Sequence, residues 1–111
     1  MLHKLHKSHR GTAYFSCPAC NSIHFLRIEG KRPWQFNGDY DNPTLSPSIK
    51  VVWPANPDAA EEFKEWRTER VCHSQITDGD IMFYGDSTHD KAGMTMRLPV
   101  IEENPELSEK V

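Results

Sequence analysis

Phe15 to Phe25 reads FSCPACNSIHF and holds two of the three cysteines in a chain of 111 residues. Cys17 and Cys20 enclose a two-residue turn, the spacing that lets two thiolates bind one tetrahedral ion. The flanking runs, TAYFSC and SIHFLRI, read as strands, so the cysteines cap a hairpin. Half of a metal site predicts another half elsewhere.

Cys72 is the only other cysteine. It opens the stretch VCHSQITDGDIMFYG, where a two-residue Asp78-Gly79 turn predicts a second hairpin pairing Ile76 with Ile81, Ser74 with Phe83 and Cys72 with Gly85. A closed zinc site takes four N or S ligands, so one histidine must join the cysteines. His89 ranks first, because the loop DSTH after Gly85 can swing it back beside Cys72. His73 ranks second, since neighbours on an extended strand point to opposite faces. His24 ranks third, as its strand would have to bend over the knuckle. The expected site is therefore Cys17, Cys20, Cys72 and His89, with zinc as the ion. An odd cysteine count with a tight C-x-x-C argues against a disulfide-stapled secreted domain, and the strand-to-helix context of a thioredoxin-like pair is missing.

A chain of this length suits one domain with a small core. Hydrophobic residues make up 37% and aromatics 10%, so a few large rings must fill that core. The expected fold is a small β-rich α+β domain, with zinc-ribbon-like hairpins clamped by a metal and one inserted helix. Residues 1–13, with His3, His6 and His9 set among cations, read as a flexible basic arm. Residues 14–101 form the zinc-binding β-rich domain. ANPDAAEEFKEWRTER predicts the helix near 57–70, with Asn56 as cap, Pro57 at its first position, and Phe63 and Trp66 as a narrow apolar stripe. Residues 102–111 read as an acidic tail.

Between the hairpins, Pro33, Pro43 and Pro47 exclude a helix, and Asn37-Gly38 marks a tight turn. In the extended run NPTLSPSI, Thr44, Ser46 and Ser48 line one face and Leu45, Pro47 and Ile49 the other. The hydroxyl row predicts a polar groove, flanked by Trp34 and Asn37. His73 stands on the face opposite Cys72, free to act as acid or base, and Asp86 shares a loop with His89. The candidate binding set is Trp34, Asn37, Thr44, Ser46, Ser48, His73 and Asp86.

The motifs CPACNSIH, WQFNGDYDNPTLSPSI, CHSQITDGDI and DSTHDKAGMTMRLP resemble, in order, those of a family of small proteins common in tailed phages and prophages. The likeness covers residues 14–53 and 71–99. It implies a phage-encoded zinc-binding protein and brings no activity with it. Some members carry the label ammonia monooxygenase, which names a membrane-embedded enzyme, and no apolar run in this chain approaches a membrane span.

The function expected from these observations is a non-enzymatic accessory module that binds a host or phage protein or a small ligand, with a structural zinc, in the bacterial cytoplasm. A homodimer is compatible with it. The alternative is a metal-dependent hydrolase or ligand-degrading enzyme built from His24, His73, Asp86 and His89 around an open metal. Nucleic-acid binding ranks below both, because the formal net charge is −3. A deaminase is excluded by the lack of H-x-E ahead of P-C-x-x-C.

Overall fold

Turn chemistry and short alternating runs organise the described residues into ten strands. The computed structural model describes residues 2–107. The strands are β1 (Leu2–His3), β2 (His6–Lys7), β3 (Thr12–Cys17), β4 (Ser22–Arg27), β5 (Gln35–Phe36), β6 (Leu45–Trp53), β7 (Arg70–Thr77), β8 (Asp80–Phe83), β9 (Thr95–Arg97) and β10 (Ile101–Glu102). They form a three-stranded sheet β2-β3-β4, a five-stranded sheet β5-β6-β7-β8-β9, and the pair β1-β10. The β-rich fold expected from sequence is what forms.

The two expected hairpins hold these sheets. In the first, β3 and β4 pair from Thr12↔Arg27 to Cys17↔Ser22, and the knuckle turns through Asn21 in the left-handed region at φ 52°. In the second, Asp78 and Gly79 both take positive φ, 49° and 81°, as a two-residue turn between twisted strands demands. Ile76↔Ile81 and Ser74↔Phe83 pair as expected. Cys72 does not pair with Gly85, because β8 ends at Phe83; it faces Val51 of β6 instead.

One apolar core lies between the sheets. Leu5, Ala13, Phe15 and Leu26 meet Leu45, Ile49, Ile76, Ile81, Phe83 and Leu98 there. Each large side chain so buried contributes about 1.5–3 kcal/mol. Along β7 the burial alternates, with Cys72, Ser74 and Ile76 turned inward and Val71, His73 and Gln75 only half covered. This alternation puts Cys72 and His73 on opposite faces of the strand.

Two expected segments differ. The arm expected over 1–13 is integrated into the fold: β1 pairs with β10, β2 pairs with β3, and Leu5 is fully buried. His6 stacks on Tyr14 with ring centroids 5.4 Å apart, and its Nε2 lies 2.8 Å from the Ile101 carbonyl oxygen. The histidine periodicity suggested solvated residues, whereas the single apolar side chain of Leu5 pins the segment. The expected tail begins inside β10, and its residues 108–111 lie outside the described residues.

The helix expected near 57–70 is a 3₁₀ stretch over Glu61–Arg67, broken at Phe63. Asn56 does not cap it. Its Oδ1 accepts the Asp58 N–H in a local turn, and its own N–H bonds the Trp66 carbonyl at 2.8 Å, closing a loop. A short helix needs a buried face to repay nucleation. Phe63 and Trp66 stack on each other at 4.6 Å and each stays 41% exposed, so that face is missing.

Candidate functional site

Chain reversal at the knuckle and inward burial on β7 bring Cys17, Cys20, His24 and Cys72 together, one potential ligand atom from each lying within 4.8 Å of the others. Cys17 Sγ and Cys72 Sγ are 3.8 Å apart. Two sulfurs bound at about 2.3 Å to one tetrahedral ion are separated by about 3.8 Å, so the spacing suits zinc. The histidine that joins the three cysteines is His24, not His89. One strand residue beyond Ile23, the imidazole of His24 is buried between Phe15 and Trp53, and its Nε2 has no hydrogen-bond partner. An orphaned ring nitrogen beside three free thiols is what a metal would satisfy.

The electrostatics of the cluster agree. Hydrogen bonds from Cys20 and Cys72 hold the Cys17 thiol far below its ordinary range. Cys17 in turn pushes Cys20 up to about 11, and Cys17 together with Cys20 pushes Cys72 well above the usual thiol value. Three sulfurs this close cannot all ionise unaided, and a divalent cation removes that conflict.

His89 occupies a different place. Its ring packs edge-on against Phe83 at 4.7 Å, its Nδ1 accepts the Lys91 N–H, and it lines a cavity of about 590 Å³ with Cys20, Trp53, Trp66 and Arg70. None of Ser48, His73 or Asp86 lines that cavity.

Those three residues meet on the outer face of the same sheet. Ser48 Oγ lies 2.9 Å from His73 Nε2, and His73 Nδ1 lies 3.0 and 3.2 Å from the two carboxylate oxygens of Asp86. A carboxylate can only accept, so Nδ1 carries a proton, and in the neutral ring Nε2 accepts from the serine hydroxyl. This tautomer suits a general base, and the row of nucleophile, base and orienting acid is recognised by geometry whatever its order in the chain.

Local structure explains how the sequence builds it. Between Leu45↔Ile76 and Ile49↔Ser74, β6 spends four residues where β7 spends two. This bulge brings Ser48 diagonally across from His73 on the face it shares with Lys50. After β8 the chain YGDST zips along β7. Tyr84 N–H bonds the His73 carbonyl, Ser87 Oγ accepts the His73 N–H and donates to the His73 carbonyl, and Thr88 does likewise at Val71. Asp86 is thereby held at the Nδ1 edge of the imidazole, whose ring centroid lies 4.3 Å from that of Tyr84.

Asp86 is also 3.6 Å from Lys50 Nζ. Desolvation pushes its carboxyl upward, but the hydrogen bond and charge of His73, with Lys50 added, hold it below the usual carboxylate range. The acid therefore stays ionised while it orients the ring.

Of the remaining sequence-selected residues, Asn37 spends its side chain inside the loop, accepting from Asp39 and Thr44 and donating to the Asn42 carbonyl. Thr44 Oγ1 accepts the Asp78 N–H. Trp34 packs against the core with Nε1 buried. Ser46 is exposed, two residues from Ser48. The candidate set thus held the whole serine-centred row without joining it, and no motif around Ser48, which sits in SPSIK, singles it out as a nucleophile.

No helix among the described residues is long and apolar enough to cross a membrane. No curated protein and no solved structure matches the chain. One family model does, over residues 2–84, and its description is a bacterial ubiquitination-like system serine protease, BubE. Ser48 and His73 fall inside the matched span, and Asp86 lies two residues past its end. A protease family overturns the expectation of a non-enzymatic binding module; of the sequence-based readings, the hydrolase fits better. Since the match takes in most of the sequence, the chain belongs to the family of bacterial ubiquitination-like system serine proteases, BubE.

Proposed function

We propose that this chain is a serine protease in which Ser48 is the nucleophile, His73 the general base and acid, and Asp86 the residue that fixes the imidazole. The observation that carries the reading is the Ser48-His73-Asp86 row, with contacts of 2.9 and 3.0 Å in the required tautomer. In the first half-reaction, Ser48 Oγ attacks the substrate carbonyl carbon while its proton passes to His73 Nε2. Collapse of the tetrahedral adduct breaks the carbonyl–nitrogen bond, and His73 returns that proton to the leaving amine. Water, deprotonated by the same nitrogen, then attacks the acyl-serine ester; the carbonyl–Oγ bond breaks, and His73 returns the proton to Ser48 Oγ. Asp86 keeps its charge throughout and stabilises the imidazolium. The family description supports a substrate among the proteins of a ubiquitination-like system, cleaved at a peptide or isopeptide bond.

In this reading Cys17, Cys20, His24 and Cys72 hold zinc. When bound, the ion would supply structural cross-linking, since four protein ligands leave no open position for water. The cluster ties the β3-β4 hairpin to β7 on the face opposite His73.

The test is labelling with a fluorophosphonate probe followed by peptide mapping. Adduct on Ser48, abolished in S48A and strongly slowed in H73A, supports the assignment. Adduct elsewhere, or undiminished hydrolysis of p-nitrophenyl acetate by S48A, refutes it.

A further inference from the structure

We infer that the open edge of β6 beyond Ser48 is the substrate-binding site, and that it takes the segment flanking the scissile bond as an added β-strand. The inference rests on Ser48 being the nucleophile and adds how the substrate is held.

It follows from which way the backbone groups point. The N–H and C=O groups of His73, and those of Val71, are engaged by Tyr84, Ser87 and Thr88 on the β8 side of β7. Backbone groups alternate in direction along a strand, so Arg70, Cys72 and Ser74 turn theirs toward β6, where they face Trp53, Val51 and Ile49. The same alternation on β6 then points the N–H and C=O groups of Lys50 and Val52 away from β7. On that side β5 pairs only with Leu45 and Ser46, and its chain departs where the Trp34 N–H bonds the Arg27 carbonyl of β4. Among the described residues no strand pairs with β6 past Ser46 on this edge.

The edge is accessible and continuous with the nucleophile. Val52 is 45% exposed and the Lys50 side chain 53% exposed. Ser48, Lys50 and Val52 share one face and one direction of backbone groups, spanning about 13 Å at the strand rise. An unpaired edge is a template for another strand, a hazard that proteins usually cover. Here it runs from the attacking hydroxyl, and main-chain bonds to such an edge give affinity for an extended peptide with little demand on its sequence. An extended segment laid on Lys50 and Val52 leads a peptide carbonyl toward Ser48 Oγ.

V52P tests the idea, because proline removes the outward N–H while the N–H groups bonded to β7 remain, a substitution that edge strands tolerate. Wild-type, V52A and V52P proteins are incubated with a peptide library from a digested bacterial proteome, and cleavage is read by mass spectrometry beside turnover of p-nitrophenyl acetate. The ester needs the serine row but no strand. The expected result is a fall of about tenfold in the ratio of peptide to ester turnover for V52P, beyond any fall in V52A. An equal fall in V52A assigns the effect to the side chain and overturns the inference. So does an unchanged ratio in V52P, or ester turnover by wild type with no peptide cut. Failure of wild type on both substrates instead refutes the serine row. Should V52P lose both activities, amide exchange in S48A with a peptide cleaved by wild type decides: protection over residues 50–53 supports the added strand, and none overturns it.

Discussion

Stripping the proposed zinc from Cys17, Cys20, His24 and Cys72 would unlink two hairpins that are far apart in sequence. Cys17 and Cys72 are separated by 55 positions, and their sulfurs are 3.8 Å apart. Treated as a cross-link, closure of a loop that long restricts the unfolded chain by roughly 4 kcal/mol. Domains of this size are stable by about 5–15 kcal/mol, so the link carries a large share of the total. At roughly 4 °C per kcal/mol for a chain near this length, the unfolding midpoint should drop by about 15 °C. The assay combines a chelator titration, a chromogenic zinc count, circular-dichroism melts and p-nitrophenyl acetate turnover well below the lowered midpoint. One zinc released per chain, the lowered midpoint, and turnover that falls only with the folded fraction are expected. Loss of turnover at an unchanged midpoint would place the metal in the chemistry and refute the reasoning. An unchanged midpoint with no metal released would refute the site.

Ligand exchange separates the two histidines. H24A should lower zinc affinity by at least about a hundredfold, more than loss of an outer hydrogen-bond partner costs, while H89A retains one zinc per chain by native mass spectrometry; the reverse pattern would return the fourth position to His89. D86N should lower the kcat for p-nitrophenyl acetate by about 10²–10⁴-fold, because an amide cannot hold the imidazole in the same tautomer, and a loss below about tenfold would remove Asp86 from the row. The same variant reports on stability. Asp86 has its folded pKa depressed by His73 and Lys50, so its contribution is present above the ordinary carboxylate range and lost as pH falls through the folded value. D86N should flatten that acid-side slope in urea titrations, and an unchanged slope would show that the pairing does not form in solution.

The hairpins were legible because their signals are local. Cys17-Pro18-Ala19-Cys20 and Asp78-Gly79 each state a turn within four residues, and the registers around Ile76 and Ile81 follow by counting. The third cysteine was legible for a similar reason, since a lone cysteine is the natural third thiol ligand beside a C-x-x-C pair. His24 was not, because its choice depends on how β4 lies over the cluster, which no neighbouring residue encodes. The same holds for the serine row. Ser48 reaches His73 through a four-against-two bulge between β6 and β7, and Asp86 reaches it through a loop hydrogen-bonded to the β7 edge. Neither feature has a composition signal. Sequence reasoning found the hydroxyl face and the outward His73 but had no register to bring them together. The helix was legible in place but not in length or type: its cap candidate was present in sequence, but tertiary packing gave Phe63 and Trp66 no surface to bury, and a 3₁₀ stretch formed.

The two clusters share one strand, and this bears on why a small hydrolase would keep a metal site it does not use in chemistry. Cys72 points inward and His73 outward from adjacent positions of β7, so whatever fixes the backbone at Cys72 also fixes the base. On the outer side the backbone of His73 is pinned by Ser87 and Tyr84; on the inner side the anchor is the thiol cluster, with Val51 of β6 beside it. Ser48 is only three residues from Val51, across the bulge. A core this thin leaves a bulged edge strand little to rest on, and a 2.9 Å contact between serine and histidine tolerates little slippage between β6 and β7. A cross-link through Cys72, one pair along from Lys50↔His73, would hold that register. Loss of that link should therefore cost activity only as this pairing unfolds, in step with the folded fraction.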